Sequence, residues 1–187
     1  GCNTISTFDG TVWARRSFTE VSIAVPATTV TMYDVFAYDN AGTLTLELTA
    51  WTNDTTRATA LALQNGVYAK TGVLTRRWLG SFRTTGVSGQ TEDSAVKSYL
   101  FNYYNRVPKV MRKADATASW PYTTATWRQA NGAAANQIEI VNGLPEAPID
   151  LKFYAYSFND TGTGVYQNNG IGRDSTTAPT RSGTQYA

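Results

Sequence analysis

The sequence contains no histidine and a single cysteine, Cys2, in 187 residues. Histidine is the commonest general base and the commonest zinc ligand, so its absence excludes Ser-His-Asp and Cys-His catalysis within one chain. A lone cysteine cannot close an internal disulfide, and Cys2 either stays a free thiol, the simpler expectation, or pairs with another chain. We therefore predict that the chain is not an enzyme and binds neither a transition metal nor a cofactor.

The sequence also has few charges, and they are scattered. The 16 Lys and Arg and 14 Asp and Glu leave a net charge of +2, and no dense basic run is present. A protein that binds chiefly nucleic acid usually concentrates its positive charge, so this partner is disfavoured. No apolar stretch approaches the length that crosses a bilayer, and we expect no membrane insertion.

Threonine, β-branched and aromatic residues are abundant, which favours a mainly β fold. In 43–49 the apolar residues are Leu44, Leu46 and Leu48, which alternate with polar ones, as in a half-buried strand. The stretch "MYDVFAYDNAGTLTLEL" predicts a hairpin, with a strand at 32–38, a turn at 39–42 and a strand at 43–51. A further strand is expected at "RRWLGSFRT", and the alternation of Val21, Ile23 and Val25 indicates another.

Three regions follow from this pattern. We predict a small N-terminal β region at 1–90, a connecting helix at 91–107 and a jelly-roll-like antiparallel β-sandwich at 108–187. In the last region "PYTTATWRQ", "NQIEIV" and "IDLKFYAYSF" have strand character, with Trp120 and Trp127 expected in the core. The tail from 160 to 187 has the composition of long loops.

The helix is predicted over 92–106 from the spacing of its apolar residues. Thr91 is a plausible N-cap, and Glu92 and Asp93 place negative charge in the first turn, where the helix dipole favours it. Pro108 marks the end. One stripe forms at helical spacing from Val96, Tyr99, Leu100, Tyr103 and Val107. The alternative, a strand with Tyr99, Phe101 and Tyr103 on one face, gives no clean apolar face.

Phe101 and Tyr104 would widen the apolar arc of this helix beyond what one sheet can cover. Either another copy of the chain covers the surplus, or the helix is buried between the two β regions of its own chain; the spacing leaves both open. The candidate residues for an interface between copies are Val96, Tyr99, Leu100, Phe101, Tyr103 and Tyr104.

Two further tyrosines, Tyr154 and Tyr156, are predicted to share one face of a strand. Paired tyrosines on an exposed face often stack on sugar rings, and they also fill subunit interfaces. Tyr154 and Tyr156 are therefore candidates for contact with a glycan on a host surface, with an interface or core role as the alternative.

Several long stretches of the chain resemble a domain of structural proteins from tailed bacteriophages. They are "YDVFAYDNAGTLTLELTAWTNDTTRATAL", "TRRWLGSFRTTGVSGQTEDS", "NYYNRV" and "YTTATWRQANG". The resemblance runs from about residue 9 to about residue 177 and implies a β-sandwich module on the exterior of the virion, often trimeric and without catalytic residues. In that family the chain often continues further, which implies a truncation at Ala187.

The resemblance and the residues together lead to two hypotheses from different classes. The first is an external virion structural protein of tail-fibre or head-fibre type, assembled as a homotrimer with other virion proteins and contributing to host attachment; capsid decoration or cementing is a variant of it. The second is a carbohydrate-binding module of a larger protein.

Overall fold

A computed structural model describes residues 3–121, 123–124, 126–145, 148–150, 152, 154, 166–172 and 181–186. The described residues are mainly β, as predicted, and contain no α-helix. Their one helical element is a 3₁₀ turn at Ala130–Gly132. The strands are β1 (Thr4–Phe8), β2 (Trp13–Ser17), β3 (Met32–Asn40), β4 (Thr43–Ala50), β5 (Leu61–Gln64), β6 (Val67–Lys70), β7 (Val73–Arg83), β8 (Lys97–Ser98), β9 (Leu100–Asn102), β10 (Glu139–Ile140), β11 (Tyr166–Ile171) and β12 (Arg181–Tyr186).

The chain forms two compact units. The first comprises Gly1–Arg112 and Ile138–Ala147, and the second comprises Lys113–Gln137 and Pro148–Ala187. The first unit is thus interrupted, and its two pieces meet at one segment: the Arg112 N–H donates to the Ala95 carbonyl, and the Glu139 N–H donates to the Val96 carbonyl, each at 2.9 Å.

A six-stranded sheet dominates the first unit, in the order β4-β3-β7-β6-β5, with β9 added beside β7. The predicted hairpin is confirmed: β3 and β4 pair without interruption from Tyr33 opposite Ala50 to Asn40 opposite Thr43. Ala41 and Gly42 form its two-residue turn with positive φ values of 50° and 91°, the conformation that suits the twist of a hairpin. The strand predicted at "RRWLGSFRT" is confirmed as part of β7.

The two faces of this sheet bury different groups. Phe36, Trp78 and Leu144 form one buried cluster on the face where β9 points Phe101 inward. On the opposite face Tyr33 stacks on Phe82 at 5.4 Å between ring centroids. Residues on both faces of β3 are therefore buried, which explains why both faces of that strand are apolar.

The helix predicted over 92–106 is wrong. Residues 97–98 and 100–102 form β8 and β9, and β9 runs antiparallel to β7 with Phe101 opposite Ser81. Thr91 does not cap a helix, because its hydroxyl donates instead to the Arg83 carbonyl at 2.8 Å. The strand prevails since β7 offers a free backbone edge and Trp78 offers an aromatic surface, and an isolated helix has neither.

Other expectations also change. The segment containing Val21, Ile23 and Val25 forms no strand, and neither do the described residues of "PYTTATWRQ". Trp120 and Trp127 are 39% and 37% exposed, so they are not core residues. Of "NQIEIV" only β10 is strand, which pairs in parallel with β8.

In the second unit, the tail expected to form loops contains an antiparallel pair, β11 and β12. Most of "IDLKFYAYSF" lies outside the described residues.

Candidate functional site

The aromatic run at 99–104 divides into inward and outward side chains because it is extended. Tyr99 is 3% exposed, and Phe101 and Tyr103 are half-buried against Trp78 at ring-centroid distances of 6.0 and 5.4 Å. Leu100 and Tyr104 are 50% and 45% exposed. The inward three fill the core of their own chain, so the exposed members of the predicted interface set are Leu100 and Tyr104, and Val96 is half-buried.

Tyr104 is held on the surface by a cation. The Arg77 guanidinium lies 4.3 Å from the centre of the Tyr104 ring, and its Nε donates to the Tyr104 hydroxyl at 3.1 Å. Arg77 also donates from Nη1 to the Ser6 carbonyl at 2.7 Å, which ties the β1–β2 hairpin to the sheet. Tyr104 and Leu100 are consequently the exposed side chains of the predicted interface set, and Tyr104 is fixed in place by Arg77.

Tyr99 belongs to a polar cluster at the junction between β7, β8 and β10. Its hydroxyl donates a hydrogen bond to Glu139, and Arg83 donates to the same hydroxyl at 3.3 Å and to Asp54 at 3.1 Å. Burial, then the bond to the Glu139 carboxylate and the charge of that group, raise the pKa of Tyr99 to about 12. The Tyr99 hydroxyl is therefore a neutral donor at physiological pH, which suits it to joining strands rather than to accepting a proton.

Asp34 and Arg57 form an ion pair on the same face of the sheet as the Trp78 side chain. Asp34 is 1% exposed and accepts hydrogen bonds from Arg57 Nε at 2.8 Å, Trp78 Nε1 at 2.9 Å and Ser81 Oγ at 2.6 Å. Arg57 in turn donates to the Gly143 carbonyl at 2.6 Å. The buried Asp34 carboxylate and the partly buried Arg57 guanidinium each have several partners, and together they join the sheet to the segment that contains Gly143.

A second charge network crosses the same sheet nearer the hairpin turn. Glu47 on β4 accepts from Lys70 Nζ at 2.6 Å and from Arg76 Nε at 2.7 Å. Burial opposes the ionisation of Glu47, but the two hydrogen bonds outweigh it and hold the pKa of the carboxyl below its usual value. Arg76 also lies 3.4 Å from the centre of the Tyr38 ring. These charges therefore link β4, β3, β7 and β6 to one another.

Sequence reasoning missed both networks. A signal for the first was present in the sequence: Asp34 interrupts the apolar segment "MYDVFAY", and a carboxylate in such a position needs a partner. The identity of that partner, Arg57, depends on a loop between β4 and β5 and has no local signature.

The predicted glycan-contact residues lie in the second unit. Tyr154 is 86% exposed, which leaves its ring open to a ligand. Tyr156 lies outside the described residues. Within the described ranges, no three Cys, Asp or Glu side chains are grouped to hold a metal ion. The part of the chain that the structure describes contains no helix able to span a bilayer.

No protein-family model matches the chain, and no curated protein or solved structure matches it either.

Proposed function

We propose that this chain is a structural protein on the exterior of a tailed-bacteriophage particle, of tail-fibre or head-fibre type. The resemblance of its long sequence stretches to such proteins suggests the setting. In this proposal the region 108–187 is a jelly-roll-like sandwich, and the chain assembles as a homotrimer with other virion proteins around it, contributes to host attachment and has no catalytic role.

The observation that carries the proposal is how the charges of the first unit are used. Asp34 with Arg57, Glu47 with Lys70 and Arg76, and the Tyr99 cluster each join separate strands or segments. Such cross-strand fastening gives a rigid module, which is what an exposed particle component needs. The exposed Leu100 and Tyr104 side chains supply apolar surface for contact with another chain.

The setting is tested by locating the chain on particles. Antibodies against the purified chain should label one external structure in electron micrographs of the phage that encodes the chain. That structure would be a tail fibre, a head fibre or the capsid surface. Labelling confined to free protein in the lysate would contradict the proposal. Turnover of host polysaccharide by the purified chain would contradict the absence of a catalytic role.

The second candidate is a carbohydrate-binding module, and the exposure of Tyr154 favours it. A glycan array with the purified chain should then show binding to a host-surface sugar, and Tyr154→Ala should abolish it while Tyr104→Ala leaves it unchanged. Equal glycan binding by both variants would show that Tyr154 does not contact the sugar.

A further inference from the structure

The strand β4 is the longest open edge of the main sheet. It is eight residues long and pairs with β3 alone among the described residues. The β3–β4 register runs from Thr43 to Ala50 without a bulge. Such an edge presents a row of backbone donors and acceptors to any strand that approaches it.

The register shows which backbone groups point outward. The Trp51 N–H donates to the Met32 carbonyl at 2.8 Å, and Thr43 lies opposite Asn40 beside the two-residue turn. Because the hydrogen-bonded pairs alternate along an antiparallel ladder, the odd-numbered residues of β4 bond to β3. The N–H and carbonyl groups of Leu44, Leu46 and Leu48 therefore face away from the sheet.

This edge lacks the usual protection against pairing. Natural edge strands carry lysine, proline or a bulge, and the sequence of β4, "TLTLELTA", has none of these. Its one charge, Glu47, is bound by Lys70 and Arg76 on the sheet's own face and does not guard the edge. The leucine side chains beside the edge are half-buried, so a further strand would cover apolar surface as well.

We propose that the occupant of this edge is the β4 strand of a second copy of the chain, antiparallel to the first about a twofold axis at Leu46. Only the even-numbered residues of β4 have outward backbone groups, so two β4 strands pair with even-numbered residues opposite each other, and leucines meet leucines on one face. Centring the axis at Leu46 places Leu44 opposite Leu48 of the other copy and Thr45 opposite Glu47. Centring it at Glu47 would set two like charges against each other.

With the axis at Leu46, each copy contributes the outward backbone groups of three leucines, and both copies use the same surface. That is the isologous contact of a twofold dimer. The contact does not depend on the virion setting. It also uses a different edge of the sheet from Leu100 and Tyr104. Pairing through β4 alone therefore gives a dimer, and pairing through β4 together with a threefold contact gives a hexamer.

A cysteine placed at the axis tests both the contact and its register. In a Cys2→Ser background, Leu46→Cys would bring two thiols together in a hydrogen-bonded pair with a Cα separation of about 5.5 Å, within the range of a disulfide. Leu44→Cys is the matched control, because its counterpart lies four residues further along, about 13 Å away. Under mild oxidation we expect at least tenfold more cross-linked dimer with Leu46→Cys than with Leu44→Cys.

Light scattering on the unmodified chain and on Leu46→Lys completes the test. The unmodified chain should have the mass of two or six copies, and Leu46→Lys should halve it while keeping its circular dichroism spectrum. Equal cross-linking of the two cysteine variants, or a mass of one or three copies for the unmodified chain, would overturn the proposed contact. If Leu46→Lys fails to fold, the cross-linking ratio and the mass of the unmodified chain still test the proposed contact.

Discussion

Arg57 donates a hydrogen bond to the carbonyl of Gly143, 86 residues further along the chain, at 2.6 Å. The same guanidinium lies 2.8 Å from the Asp34 carboxylate and 4.3 Å from the centre of the Trp51 ring. One side chain thus fastens the returning segment 138–147 to the central strand β3.

Replacing Arg57 should destabilise the first unit strongly. Arg57→Ala leaves a nearly buried Asp34 charge without its counter-ion, and breaking such a pair costs about 3–5 kcal/mol. We expect the lower end of this range, because Trp78 and Ser81 still donate to Asp34. Urea unfolding followed by tryptophan fluorescence measures the loss. The exposed Arg15→Ala, as a control, should change the free energy of unfolding by less than about 0.5 kcal/mol.

Gly143 should not tolerate even a methyl group. A Cβ at this position would lie 2.6 Å from the Phe101 ring and 3.1 Å from Ser81 Oγ, and the ring cannot move away because it stacks on Trp78. Gly143→Ala should therefore lower the free energy of unfolding by about 1–3 kcal/mol. Gly86→Ala, where a Cβ meets nothing within 4 Å, should leave it unchanged or raise it by up to about 1 kcal/mol. A similar response at both glycines would contradict the close approach at Gly143.

Tyr99 should make the stability fall in alkali. Its pKa is about 12 in the folded chain and 10.0 ordinarily, so the unfolded chain loses the phenol proton first as the pH rises. The stability that the protonated hydroxyl contributes is present below pH 10 and is lost between about pH 10 and pH 12.

The matched variant for this prediction is Tyr99→Phe. Urea unfolding at pH 8.5, 10 and 11 should show that the advantage of the natural chain over Tyr99→Phe narrows as the pH rises. An advantage that stays constant to pH 11 would show that the hydroxyl titrates normally. The ultraviolet absorbance of ionised tyrosine, taken as the difference between the natural chain and Tyr99→Phe, isolates this proton from those of the other tyrosines.

Substitution by aspartate should destabilise the chain much more at Phe101 than at the nearby Tyr104. Phe101→Asp places a carboxylate against Trp78 and should lower the free energy of unfolding by at least about 3 kcal/mol, as does replacing a core phenylalanine by alanine. Tyr104→Asp changes a side chain that is 45% exposed and should lower the free energy of unfolding by less than about 1 kcal/mol. Circular dichroism and light scattering on both variants separate folding from assembly. A folded Tyr104→Asp with reduced mass would place Tyr104 between copies, whereas an unfolded Tyr104→Asp would contradict the division into inward and outward residues.

The sequence predicted those parts of the fold that are set by local chemistry. The hairpin of β3 and β4 has alternating apolar residues and an Ala41-Gly42 turn, so neighbouring residues suffice to determine it. The segment 97–102 was misread as a helix because Tyr99, Leu100 and Tyr103 also fit a helical spacing. The partner that decides between the two, β7, lies about twenty residues earlier and leaves no mark on the segment itself.

The candidate site was only partly visible for the same reason. Leu100 and Tyr104 were predicted as interface residues together with Tyr99, Phe101 and Tyr103, and the last three could be assigned inward only once the strand was known. The Asp34 and Arg57 pair joins residues 23 positions apart, and no periodic pattern connects them. Pairing between distant loops and strands is a property of the packed chain, which local propensities do not encode.

Residues 113–137 leave the first unit and rejoin it at neighbouring points, since Arg112 and Glu139 bond to the adjacent residues Ala95 and Val96. The pairing of the first unit therefore depends on this stretch only through the positions of its two ends, and doubling the length of a connecting segment costs merely about 0.6 kcal/mol in closure entropy. A change in the length of this stretch is therefore expected to leave the backbone pairing of the first unit intact, while it alters the second unit, to which the stretch also belongs.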